Sequence, residues 1–147
     1  MTLPSAKLTV VTIGVRDVAA SARFYEALGF KRKVRGTGDE VAFFEAGGVI
    51  LAAWSWDKLA ADAIVPGEPW PQNFRGSTLA WNCATREEVD EVLARALAVG
   101  ARSLREASTT DYGGYRGYFA DPDGHVWEVV LAPGFSFSGD GRLVLPD

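Results

Sequence analysis

The sequence predicts an α+β fold built from two similar halves, and three observations carry that reading. Strand-like and helix-like stretches run in the order strand, helix, strands, and that order occurs twice. Each half holds one amphipathic helix closed by a glycine, Gly29 in the first and Gly100 in the second. A stretch with Pro66, Gly67, Pro69 and Pro71 divides the halves. The 147 residues are 48% hydrophobic and 23% charged, which suits one domain with a shared core.

In the first half, Leu8–Val15 alternates as a strand, with Val11, Ile13 and Val15 on one face. Asp17 is placed to cap a helix over Val18–Leu28, on which Phe24 and Leu28 share a side. Lys31–Arg35 reads as a basic, solvated exit that ends in Gly36-Thr37-Gly38. Strands are expected over Glu40–Glu45 and Val49–Trp54, joined by Ala46-Gly47-Gly48. A linker over about 57–76 follows, with a short helix expected at Lys58–Ile64.

The second half opens with a strand over Thr78–Cys83. Thr85-Arg86-Glu87-Glu88 is a capping box, and Val89, Val92, Leu93, Ala96 and Leu97 then mark one helix face. Strands are expected at Arg102–Glu106, Gly114–Phe119 and Val126–Leu131, the last two joined by Asp121-Pro122-Asp123-Gly124. The tail over 134–147 gives no clear pattern. The chain is thus one domain over 1–147, with module one at about 7–56 and module two at about 77–133.

Composition removes several functions. A formal charge of −4 argues against a phosphate-backbone binder, so no nucleic acid is expected. No run approaches a membrane span and no signal segment opens the chain, so a cytoplasmic protein is expected. One cysteine, Cys83, excludes an internal disulfide, and one histidine, His125, argues against a His-rich metal site. No dinucleotide loop, phosphate loop or nucleophile elbow is present. Five Trp, eight Phe and four Tyr leave room for an aromatic ligand pocket.

Two segments resemble a known family. Val11-Thr12-Ile13-Gly14-Val15-Arg16-Asp17 with Phe24-Tyr25-Glu26-Ala27-Leu28-Gly29-Phe30 resembles the opening of a vicinal-oxygen-chelate protein. This is the glyoxalase/bleomycin resistance/extradiol dioxygenase superfamily. Gly117-Tyr118-Phe119-Ala120-Asp121-Pro122-Asp123-Gly124-His125-Val126-Trp127-Glu128-Val129 resembles its closing segment. The resemblance implies two βαβββ modules whose curled sheet encloses a cleft, and it implies a homodimer. In metal-dependent relatives four cleft positions hold a divalent ion. Carried over one at a time, they fall on Val10, Ala52, Thr78 and Glu128. Only Glu128 is a usual ligand, so no metal and no cofactor is expected.

The remaining candidates follow from strand parity and chemistry. Glu128 is the candidate catalytic group if its environment suits it to proton transfer; otherwise it is a carboxylate hydrogen-bonded to a tyrosine or asparagine. Thr12, Asn82, Glu128 and Arg116 are candidates to orient a ligand, Arg116 through an anionic group. Trp54, Trp56 and Tyr115 are candidates to line the cleft, and Trp70 to fold over it or meet a partner subunit. Trp81 and Cys83 are expected in the core, the thiol inert, and His125 is expected to serve its turn. Two functions compete. One is metal-free binding or sequestering of a small aromatic or apolar molecule. The other is a glyoxalase-like lyase, isomerase or dioxygenase.

Overall fold

The computed structural model describes residues 4–65 and 73–147, so Trp70 and the linker prolines lie outside the described residues. Strand β1 (Val10–Val15) leads to helix α1 (Val18–Leu28). The Asp17 carboxylate accepts from the Ala20 amide at 3.0 Å, and Gly29 closes the helix at φ 115°. Strands β2 (Lys31–Lys33), β3 (Val41–Ala46) and β4 (Val49–Ser55) complete the first module. Helix α2 (Trp56–Asp62) follows.

Module two repeats the plan with β5 (Leu79–Asn82), α3 (Arg86–Ala98), β6 (Arg102–Thr109), β7 (Tyr115–Ala120) and β8 (Val126–Leu131). The capping box forms with one change of partner. Thr85 Oγ accepts from the Glu88 amide at 3.1 Å, while the Glu88 carboxylate accepts from Ala84 rather than Thr85. The tail, unpatterned in sequence, folds into a two-stranded hairpin, β9 (Ser136–Phe137) and β10 (Leu143–Val144).

Two expectations change. The basic exit at Lys31–Arg35 is a strand for its first three residues, because Arg32 pairs with Phe44 on the edge of the first sheet. Charged edge strands hide well in sequence, since exposure removes their apolar alternation. The short helix begins at Trp56, two residues early, because Ser55 Oγ accepts from the Lys58 amide at 3.4 Å and ends the strand there.

Each module forms one four-stranded sheet, ordered β1-β4-β3-β2 and β5-β8-β7-β6. In both, the edge strand before the helix runs parallel to the module's last strand. Strands β1 and β5 are edges that face each other, since Val11 and Leu79 line the same two cavities. We call this meeting of edges the seam. Helix α1 packs on β3 and β4, α3 packs on β6, β7 and β8, and the helices touch each other. Among the described residues no helix is long and apolar enough to cross a membrane.

The core lies between helices and sheets. It joins Ile13, Val15, Tyr25, Leu28 and Phe44 of module one to Val89, Phe119, Trp127 and Val129 of module two. A buried polar cluster fixes the two halves across it. The Tyr25 hydroxyl donates to Asp121 at 2.5 Å and accepts from the Trp127 indole at 3.1 Å. Asp121 also accepts from the amides of Asp123 and His125, each at 2.9 Å. Every member therefore has a partner, which such a cluster needs when buried.

Candidate functional site

Strand register sorts side chains onto two faces, one against the helices and one open. On the open face of module one, Thr12, Ala52 and Phe43 form a row, flanked by Val10-Ile50-Glu45 and Gly14-Trp54-Val41. On module two the central row is Ala80, Glu128 and Tyr118, beside Asn82-Val130-Arg116. Thr78 lies two residues before Ala80 and continues its parity.

The chemistry of this face centres on Glu128. It is half-buried and accepts from the Tyr118 hydroxyl at 2.8 Å. Burial pushes the Tyr118 phenol up, and the bond to Glu128 and that group's charge push it further. Tyr118 therefore stays a proton donor at neutral pH. The Glu128 carboxylate keeps acceptor capacity for a second donor. Arg116, on the neighbouring row, is half-buried and donates to Ser108 Oγ at 3.0 Å.

The four positions at which metal-dependent relatives hold an ion are Val10, Ala52, Thr78 and Glu128, and all take the open face. They supply one carboxylate, one hydroxyl and two hydrocarbon side chains. A divalent transition metal needs three or more good donors, so this set does not fit one. Among the described residues no group of three or more His, Cys, Asp and Glu is placed to hold a metal.

The other candidates divide by position. Thr12 is exposed on the open face, and Trp54 is half-buried there. Trp56, as the first residue of α2, is not on the strand whose parity placed it beside Ala52. It instead packs on Gly14, where an added Cβ would stand 2.8 Å from the indole Cε3. The Arg75 guanidinium lies 5.0 Å over its ring. Thr12, Trp56 and His125 line one cavity of about 250 Å³ at one end of the seam. Asn82 lines another, of about 620 Å³, at the opposite end.

Tyr115 is a correction. It shares a face with Gly117 and the buried Phe119, toward the helix. Its hydroxyl donates to Asp90 of α3 at 2.6 Å and its ring lies under Arg86. The strand starts at Tyr115, so alternation from Phe119 assigns the tyrosine to the helix side. The same rule puts Tyr118 on the open face and identifies it as the tyrosine bonded to Glu128. The Asp121–Gly124 turn sets it directly across from Glu128.

His125 and Cys83 take the expected structural places. His125 Nε2 lies 2.7 Å from the Gly14 carbonyl, so the imidazole ties β8 to β1 across the seam. Cys83 is buried beside Trp81, and burial first, then the Glu88 charge, pushes its thiol up to about 11.

The sequence profile of the glyoxalase/bleomycin resistance protein/dioxygenase superfamily matches residues 7–129. The chain belongs to this superfamily. A glyoxalase-related enzyme from Fulvimarina pelagi is 35% identical, covers 96% of this chain and 99% of its own, and superposes with a TM-score of 0.84. A superfamily protein from Nocardioides is 27% identical over 90% of this chain and 89% of its own, with a TM-score of 0.72. Lactoylglutathione lyase from Agrobacterium tumefaciens, 22% identical over 88% of this chain and 96% of its own, shares the superfamily fold with a TM-score of 0.63. No curated protein matches. Membership explains why both signature segments converge on one place. Tyr25 and Arg16 of the opening segment bond Asp121 and Asp123 of the closing one.

Proposed function

We propose that this superfamily member binds or sequesters a small aromatic or apolar molecule on the open face of its sheets, without a metal. The donor set at Val10, Ala52, Thr78 and Glu128 carries the reading. One carboxylate among hydrocarbon neighbours suits a hydrogen bond to a ligand better than it suits an ion. Phe43 and Trp54 supply ring surface on module one's part of the open face, and Val126 continues the strand parity of Glu128 on module two's part. Thr12, Asn82 and Arg116 orient the ligand at the edges of that surface.

A single copy leaves this face open. Val10 is 41% exposed, and Thr12, Thr78 and Ala80 are exposed as well. A homodimer in which a second copy covers the face would turn it into an enclosed cleft. Light scattering at micromolar concentration tests the assembly, and a monomer throughout would argue against the enclosed cleft. The buried free thiol suits a reducing, cytoplasmic compartment.

A second reading has its own support, because the 35%-identical Fulvimarina pelagi protein bears the name of an enzyme. In that case Glu128 and Tyr118 would exchange a proton with the substrate in lyase or isomerase chemistry. Metal analysis of protein purified without chelator, with a thermal-shift screen of aromatic ligands, separates the two. Stoichiometric metal with a matching lyase activity would overturn the binding reading. Ligand-induced stabilisation that Glu128→Gln alters, with no metal, supports it.

A further inference from the structure

The two ends of the seam are related by the module repeat, yet only one is closed. At the closed end His125, just after the turn glycine Gly124, bonds the Gly14 carbonyl at 2.7 Å. Arg16 joins it there by donating its amide and Nε to Asp123 at 3.1 and 3.2 Å. Gly14 and Arg16 stand three and one residues before the helix cap Asp17. The equivalent residues before the second cap, Thr85, are Asn82 and Ala84. The equivalents beside the first turn glycine, Gly48, are Gly47 and Val49. None of Val49, Gly47 and Ala84 can form the matching bonds. At the closed end the cavity beside Thr12 and His125 is about 250 Å³ and another, against Arg16 and the Asp121–Gly124 turn, is about 450 Å³; the one at the open end is about 620 Å³.

The open end has the walls of a binding site. Phe30 stands 5.3 Å from Trp81 and 5.6 Å from Trp127, centroid to centroid, and Leu79 and Leu51 continue the apolar lining. The Trp127 indole N–H is already donated to Tyr25, so that ring presents only hydrocarbon. Asn82 is half-buried and offers one amide. Lys31 and Glu45, facing partners on β2 and β3, put opposite charges at the mouth.

A cover is also present. Phe137 and Leu143 of the C-terminal hairpin line this cavity while remaining 38% and 39% exposed. The hairpin's Arg142 packs on Gly48, whose φ is 116° and whose missing Cβ would stand 3.2 Å from its Nε. The linker's Arg75 packs on Gly124 in the equivalent way at the closed end. Each seam end is thus capped by a segment outside the modules, and the tail caps the open end.

We propose that this cavity is a second small-molecule site, taking an uncharged, flat aromatic ligand beneath the C-terminal hairpin. Its volume is in the range of small-molecule sites, about 300–1,000 Å³. Ring walls favour a flat aromatic body, and Glu45 at the mouth is already ion-paired with Lys33 at 3.7 Å, so it offers no free charge to a cationic one. Glu128 and Tyr118 do not line this cavity, but Asn82, Ala80, Ile50 and Glu45 belong both to its wall and to the open-face rows, so the experiment must tell the two sites apart.

N-phenyl-1-naphthylamine, neutral and fluorescent, is the probe. Saturable enhancement at one dye per chain is expected, with energy transfer from tryptophan that Trp81→Phe reduces. Phe137→Ala with Leu143→Ala is expected to weaken binding by at least about fivefold, since two apolar contacts are lost. Both side chains are over a third exposed, and circular dichroism checks that the variant folds. Non-saturable partitioning, or no enhancement, overturns the site. So does an unchanged affinity in the hairpin variant with a loss in Phe43→Ala, because that result moves the dye to the open face.

Discussion

Replacing Tyr25 by phenylalanine removes one oxygen from the middle of the protein and tests how the halves are held together. Tyr25 is 0% exposed, so no water replaces the lost group. Two bonds go, the donation to Asp121 at 2.5 Å and the acceptance from the Trp127 indole at 3.1 Å. A bond to a charged partner contributes about 1.5–3 kcal/mol, and a buried donor left without a partner costs about 1–3 kcal/mol. The same oxygen serves both, so the effects overlap, and about 2–4 kcal/mol is expected. For a chain near 150 residues this lowers the melting temperature by about 5–15 °C. Urea titration followed by tryptophan fluorescence measures it, with an unchanged slope showing that the folded state keeps its compactness. Tyr115→Phe is the control, because that hydroxyl also bonds an aspartate, Asp90, but at the surface. If Tyr25→Phe moves the midpoint no more than Tyr115→Phe does, the argument that this cluster joins the modules is refuted. The pH dependence gives a second check. Burial, with the Asp121 charge, holds the Tyr25 phenol well above its ordinary 10.0. Above pH 10 the unfolded chain loses that proton and the folded chain does not, so stability falls as pH rises. Tyr25→Phe flattens this slope.

Glu128→Gln leaves stability nearly unchanged and alters ligand affinity, and Tyr118→Phe shifts affinity in the same assay because it frees the carboxylate; identical thermal shifts in both variants would argue against the pair. Cys83, pushed up to about 11 from 9.0, reacts with a disulfide reagent only when the protein opens, so native labelling as fast as in urea would place the thiol at the surface. Its raised value adds a loss of stability between pH 9 and 11 as the unfolded thiol ionises first. Gly14→Ala brings a Cβ to 2.8 Å from the Trp56 ring and costs about 1–3 kcal/mol by denaturant titration, with Trp56 displaced. His125→Ala removes the seam bond to the Gly14 carbonyl and costs about 1 kcal/mol in the same titration.

Much of the fold was legible because local rules and tertiary packing agree. Asp17 and Thr85 start helices, Gly29 and Gly100 end them, and the Asp121–Gly124 turn sets the last hairpin, all through short-range bonds that sequence spacing reveals. Alternation placed Trp81 and Cys83 in the core and Thr12 and Glu128 on the open face. It failed where the residue lay at an element boundary. Trp56 leaves the strand one position after Ser55, and parity does not carry through a helix cap. Tyr115, a cleft candidate, opens β7, and alternation counted back from Phe119 sets it on the helix side instead. Strand β2 and the tail hairpin lack apolar alternation, so only pairing with a neighbour defines them.

The sequence by itself determined the two-module plan, the superfamily and the poverty of metal donors, because each depends on residue identity at spacings of a few positions. Tertiary structure alone decided what those residues meet. Glu128 finds Tyr118 through hairpin register, and Tyr25 finds Asp121 across 96 positions of chain. The unequal seam is of the same kind. His125 closes one end and Val49 leaves the other open, a difference that exists only once β1 and β5 lie side by side. Contacts between distant segments follow from how sheets and helices share a core, and no local spacing encodes that distance.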